Sequence, residues 1–93
     1  MVKYYISEGI KMLFVPGKCL LSARRKKAGM TQKQLAKKIK KTAQRISDYE
    51  NDRMKMSLAV CKSVSFHLDC SIEDLYEWEI VESIPRSYRQ ENE

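Results

Sequence analysis

Two threonines, Thr31 and Thr42, set the tightest constraint on this chain. Each stands just before a short helical pattern, and each hydroxyl is suited to cap a helix N-terminus. The first pattern puts Leu35, Ala36 and Ile39 on one face. Thr42 follows only three residues after Ile39, so the next helix must begin after a tight turn. That helix carries Ile46 and Tyr49 inward and runs to about Asn51.

The flanking sequence extends the helical reading. Leu21, Arg25 and Ala28 recur at helical spacing, and Gly29 is placed to end that helix. Ser57 caps a further helix bearing Leu58, Cys61, Val64 and Leu68. Ser71 with Asp74 resembles a capping box, which predicts a short fifth helix through Leu75 and Tyr76. Alternatively, Trp78-Glu79-Ile80-Val81 forms a short strand pairing with the N-terminal segment. Residues 1–17 read differently: Val2–Ile6 and Ile10–Val15 are β-branched and aromatic around Ser7-Glu8-Gly9. They admit three readings: a hairpin, a loosely ordered arm, or translated sequence upstream of a start at Met12. Pro16-Gly17 is expected to break the chain before the helices. From Glu79 onward the chain turns acidic and polar, with Pro85 as a breaker and a fraying end. The expectation is an all-α, five-helix domain over residues 18–78, preceded by an arm or possible β-hairpin over 1–17 and followed by an acidic tail over 79–93.

With 93 residues, 43% of them hydrophobic and 32% charged, the chain has room for one core. No apolar run approaches the roughly 20 residues that span a bilayer, and the N-terminus lacks the pattern of a secretory signal. A cytoplasmic protein with no membrane association is expected. Cys19, Cys61 and Cys70 are odd in number, without a CxxC pair, and only one histidine, His67, accompanies them. They read as free thiols, with neither a disulfide framework nor a metal site. His67 reads as an exposed helix residue, and Tyr4, Tyr5 and Phe14 as packing or dimer contacts. No catalytic Ser-His-Asp set, phosphate-cradling glycine loop or inward carboxylate pair is visible, so no enzyme activity and no cofactor are expected.

Charge is unevenly distributed. The net +6 conceals thirteen Lys and Arg against three acids between Lys18 and Lys55, and three bases against eight acids from Met56 onward. A basic half beside an acidic half points to one face made for a polyanion. A Lys-rich helical surface alone is ordinary, as is a Leu/Ala/Ile stripe alone. Here the two occur in one register with the capped helices.

The run GMTQKQLAKKIKKTAQRISDYEND, Gly29 to Asp52, resembles the helix-turn-helix of the lambda-repressor-like, Cro-type family of bacterial regulators, also called the xenobiotic-response-element family. The resemblance extends from about Leu21 to Leu75. Its most specific marks are Arg25, Thr31-Gln32, Leu35-Ala36 and Ile46-Ser47 followed by Tyr49-Glu50-Asn51. It implies an Arg25–Glu50 ion pair tying the first helix to the end of the third, a structural role. It implies phosphate contact at Gln32 and Lys33, and major-groove positions at Thr42, Ala43, Gln44, Arg45 and Asp48. The chemistry agrees: Gln44 suits adenine, Arg45 suits guanine, and Ala43 suits a thymine methyl. Asp48 is unusual on such a face; it either accepts from a cytosine amine or holds Arg45 or Gln44 in place. Asn51, Arg53 and Lys55 follow the recognition helix and are expected at phosphates.

The sequence departs from the family pattern at several positions. Lys40 stands where the family usually has a turn glycine with positive φ, at a strain of about 1 kcal/mol. Lys41 replaces an apolar residue, Asp52 and Met56 replace a Gly and a Pro after the third helix, and Arg24 replaces a small or apolar residue. The resemblance implies a sequence-specific regulator of transcription, a repressor, of bacterial, phage or plasmid origin. Double-stranded DNA would be its partner, and it would bind as a homodimer through Leu75, Tyr76, Trp78, Ile80 and Val81, with the N-terminal hairpin as second candidate. The alternative is an antitoxin-like or phage or plasmid adapter whose main work is gripping a protein partner.

Overall fold

The computed structural model describes residues 11–83, with strand β1 (Lys11–Cys19), helices α1 (Leu21–Lys27), α2 (Gln32–Lys38), α3 (Ala43–Glu50) and α4 (Leu58–Leu68), one 3₁₀ turn (Ile72–Leu75) and strand β2 (Tyr76–Ser83). β1 and β2 pair as a two-stranded sheet. The described residues divide into two compact units, one of residues 16–77 and one of residues 11–15 with 78–83.

Within residues 16–77, the fully buried side chains of Leu21, Leu35, Ile46, Val64 and Leu75 draw one residue or more from α1, α2, α3, α4 and the 3₁₀ turn. Burying a side chain of this size contributes about 1.5–3 kcal/mol, so every element is anchored independently. Cys19, Ala36, Tyr49, Met56, Cys61, Leu68 and Tyr76 complete this core. The N-termini of α2, α3 and α4 are closed by side chains, whereas that of α1, at Leu20, is not. Thr31 and Gln34 form a reciprocal capping box on α2, Thr42 Oγ1 accepts from the Arg45 amide, and Ser57 Oγ accepts from the Val60 amide.

All four helices end by the same backbone device, in which a residue of positive φ lets its own amide and the next one turn back on the last carbonyls. Gly29 (φ 74°) performs it for α1, with Gly29 N donating to Lys26 O and Met30 N to Arg25 O. Lys40 (φ 56°), Asp52 (φ 58°) and Asp69 (φ 54°) perform it for α2, α3 and α4. The turn between α2 and α3 is thus closed by Lys40 N on Lys37 O and Lys41 N on Ala36 O.

Several expectations are corrected. The protein is not an all-α, five-helix domain: the described residues hold four α-helices and a two-stranded antiparallel sheet. Ser71 and Asp74 do form a capping box, but it opens a single 3₁₀ turn. Beyond it, Tyr76-Glu77-Trp78-Glu79-Ile80 alternates with period two, a strand pattern that overrides helix continuation. Leu20 N donates to Leu75 O (2.8 Å), so the chain ends flanking the helices meet where the strands begin. Pro16-Gly17 does not break the chain, because β1 runs through both residues. Each strand of a two-stranded sheet has a free edge, where a proline without an N–H is tolerated.

Leu75 and Tyr76, expected on a dimer surface, are buried in the core. Of the residues set at helical spacing on α4, Cys61, Val64 and Leu68 are buried but Leu58 is 75% exposed; Val60 and Ser65 are buried as well. Ala28 is exposed beyond the last turn of α1. Cys19, Cys61 and Cys70 are free thiols. His67 is half-buried, edge-on to the Phe66 ring at 5.2 Å. Phe14 is exposed, while Tyr4, Tyr5, the Ser7-Glu8-Gly9 turn and Pro85 lie outside the described residues. No helix among the described residues is long and apolar enough to cross a membrane.

Candidate nucleic-acid interface

Helix α3 has one buried and one outward face. Ile46 and Tyr49 enter the core, while Gln44 and Arg45 are exposed and Ala43 and Asp48 half-buried. The Thr42 cap fixes where the helix starts, and the Lys40 turn fixes its approach to α2. Ala36, buried at the crossing of α2 and α3, lets the two backbones approach.

The outward face is organised around Asp48. Its Oδ1 accepts from Gln44 Nε2 (3.1 Å) and from Arg53 Nε (2.9 Å). Arg53 also donates to Ser47 Oγ (3.2 Å), and Asn51 Nδ2 donates to the Ser47 carbonyl (2.8 Å). The Arg53 guanidinium and then the Gln44 amide stabilise the charged carboxylate and hold the Asp48 pKa below the ordinary aspartate value. Of the two alternatives for Asp48 within the protein, the hydrogen bond goes to Gln44; Arg45 acts on it only as a nearby charge.

A second cluster ties three helices together. Arg25 Nε donates to Glu50 Oε2 (2.6 Å) and Arg25 Nη2 to Glu50 Oε1 (3.1 Å), a bidentate pair with both side chains almost fully buried. Arg25 Nη1 reaches the Met30 carbonyl (2.8 Å), and Gln32 Nε2 donates to Glu50 Oε1 (2.9 Å). Gln32 is therefore half-buried against Glu50, with Lys33 beside it exposed at the start of α2.

Lys55 belongs to a third cluster. Its Nζ lies 3.2 Å from the Gly17 carbonyl, 3.7 Å from Asp52 Oδ1 and 5.2 Å from the centre of the Tyr76 ring. The Asp52 carboxylate in turn accepts from the Cys19 amide (3.2 Å). The structure thus brings Gln44, Asp48 and Arg53 together, and Gln32 together with Arg25 and Glu50, but directs Lys55 toward the base of β1.

Sequence reasoning missed Ser47 and Asp52 as organisers. The i, i+4 spacing of Ser47 and Asn51 was a usable signal. Nothing local announces the Asp52–Cys19 bond, which spans 33 positions. Arg24, noted only as a departure, faces Asp74 Oδ1 at 3.5 Å.

A helix-turn-helix family model matches residues 21–75, which include α1 through the 3₁₀ turn. The chain belongs to the helix-turn-helix family. This helix-turn-helix protein is also similar to the SPbeta prophage-derived uncharacterized HTH-type transcriptional regulator YopS of Bacillus subtilis (strain 168), at 32% identity over 65 residues. That alignment covers 69% of this chain and 88% of the relative.

Proposed function

We propose that this chain is a sequence-specific repressor of transcription that reads duplex DNA in the major groove with α3. The observation that carries the reading is the pairing of exposed Gln44 and Arg45 on a helix whose opposite face, Ile46 and Tyr49, is locked into the core. Gln44 and Arg45 offer hydrogen bonds complementary to adenine and guanine edges, with Thr42 and Ala43 beside them. Asn51, Arg53, Lys33 and Gln32 supply phosphate contacts around that face, and Lys55 joins them only by leaving its contact with Gly17. Family membership and the regulator name borne by the similar prophage protein support this reading over that of an enzyme. It places the protein in the cytoplasm of a bacterium, with prophage or plasmid origin.

Such readers bind as two-fold dimers to half-sites roughly 34–36 Å apart. The exposed apolar side chains Leu13, Phe14, Val15, Trp78, Ile80 and Val81 on β1 and β2 supply the dimer surface in this reading.

The test incubates the purified protein, and a Gln44→Ala/Arg45→Ala variant, with sheared DNA from the source organism, and sequences the retained fragments. A shared inverted repeat retained by the wild type alone is expected. Indiscriminate retention by both proteins, or by neither, contradicts the reading and favours a protein partner.

A further inference from the structure

We propose that Asp48 is a positioning residue that makes Gln44 select adenine over guanine, without itself touching a base. The inference rests on the DNA-reading role of α3 and specifies how one base is chosen.

A glutamine amide can turn either its oxygen or its nitrogen toward a neighbour, and the two orientations read different bases. An ionised carboxylate only accepts hydrogen bonds, so Asp48 Oδ1 draws Gln44 Nε2 toward it, at 3.1 Å. The amide is left with Oε1 and one remaining N–H to offer outward. That acceptor-donor pair matches the N6 amine and N7 of adenine, whereas guanine presents two acceptors, O6 and N7, and needs two donors.

Asp48 can hold Gln44 because Asp48 is itself held at both ends. The Arg53 amide donates to the Asp48 carbonyl (2.9 Å), and Arg53 Nε donates to the same Oδ1 that receives Gln44 (2.9 Å). The bend at Asp52, with φ of 58°, returns Arg53 over the last turn of α3. Arg53 Nη2 on Ser47 Oγ fixes the guanidinium from the other side.

The test selects duplexes from a random-sequence pool with the wild type, Gln44→Ala, Asp48→Ala and Asp48→Asn. The position whose preference disappears in Gln44→Ala marks the base read by Gln44. There the wild type is expected to favour adenine over guanine by about ten-fold or more. Asp48→Ala reduces that ratio to less than about three-fold and leaves the position read by Arg45 unchanged. Asp48→Asn retains most of the ratio, because Arg53, a donor only, keeps the amide oxygen of the new side chain facing Gln44.

An unchanged ratio in Asp48→Ala overturns the proposal, as does its loss in a folded Asp48→Asn protein. A preference lost at a cytosine instead overturns it in favour of direct contact by Asp48. A wild type that enriches no sequence overturns the DNA-reading role itself, which separates that failure from this one.

Discussion

Glu50 is the acceptor on which three helices meet. Arg25 from α1 and Gln32 from α2 both donate to this carboxylate at the end of α3, and its side chain is only 5% exposed. Removing one member of a buried charged pair strands the other, at a cost of about 3–5 kcal/mol. Glu50→Ala is therefore expected to lower the thermal unfolding midpoint by at least 12 °C, at roughly 4 °C or more per kcal/mol in a domain of this size; a midpoint within a few degrees of wild type contradicts the role. Asp48 gives a pH-dependent counterpart. Its pKa is lowered in the folded protein, first by the Arg53 hydrogen bond and then by Gln44. A depressed carboxylate contributes stability above its unfolded pKa and loses it as pH falls through the folded value. The Asp48 carboxyl, followed by NMR, should titrate below the ordinary aspartate value in the wild type and move up toward it in Arg53→Ala. An identical midpoint in both proteins contradicts the pairing. The resemblance pointed to Arg25 with Glu50, but nothing local joins Gln32 to Glu50, 18 positions away.

At the scale of the element, the four helix ends differ in what they ask of their residues. Only α1 ends on a glycine; Lys40, Asp52 and Asp69 hold the same left-handed conformation with a side chain present. Asp52 gains a bond to the Cys19 amide there, whereas Lys40 is exposed. Lys40→Gly is expected to stabilise the domain by about 0.5–1 kcal/mol, less strain being partly offset by greater freedom of the unfolded chain. Denaturant unfolding reads this, and a loss of stability contradicts it. The caps at Thr31, Thr42 and Ser57 were legible because a hydroxyl ahead of an apolar period is a local signal. The expected fifth helix does not form: its capping box is real, yet only four residues remain before the Tyr76-Glu77-Trp78 alternation takes over. The pairing of β2 with β1 is only an alternative from sequence, since partner strands so distant in the chain leave no local mark.

For the molecule as a whole, the informative sequence features were the capped helix pair and its coincidence with the basic half. Lys33, Lys37, Lys38, Lys40, Lys41 and Arg45 are all exposed on or beside α2 and α3. Beyond the Arg25–Glu50 pair that the resemblance implies, sequence does not disclose that further charge is spent internally: Arg53 on Asp48, and Lys55 on Gly17 and Asp52. The cationic surface that remains is concentrated around α2 and α3, and this is where a polyanion would bind. Isotope-labelled protein titrated with duplex DNA, and followed amide by amide by NMR, tests this most directly. Shifts are predicted at residues 31–33 and 42–53, with the Gln44 side-chain amide among the largest. Shifts confined to residues 11–15 and 78–83, or no shifts at low salt, would contradict the reading of α3 as the DNA-binding element.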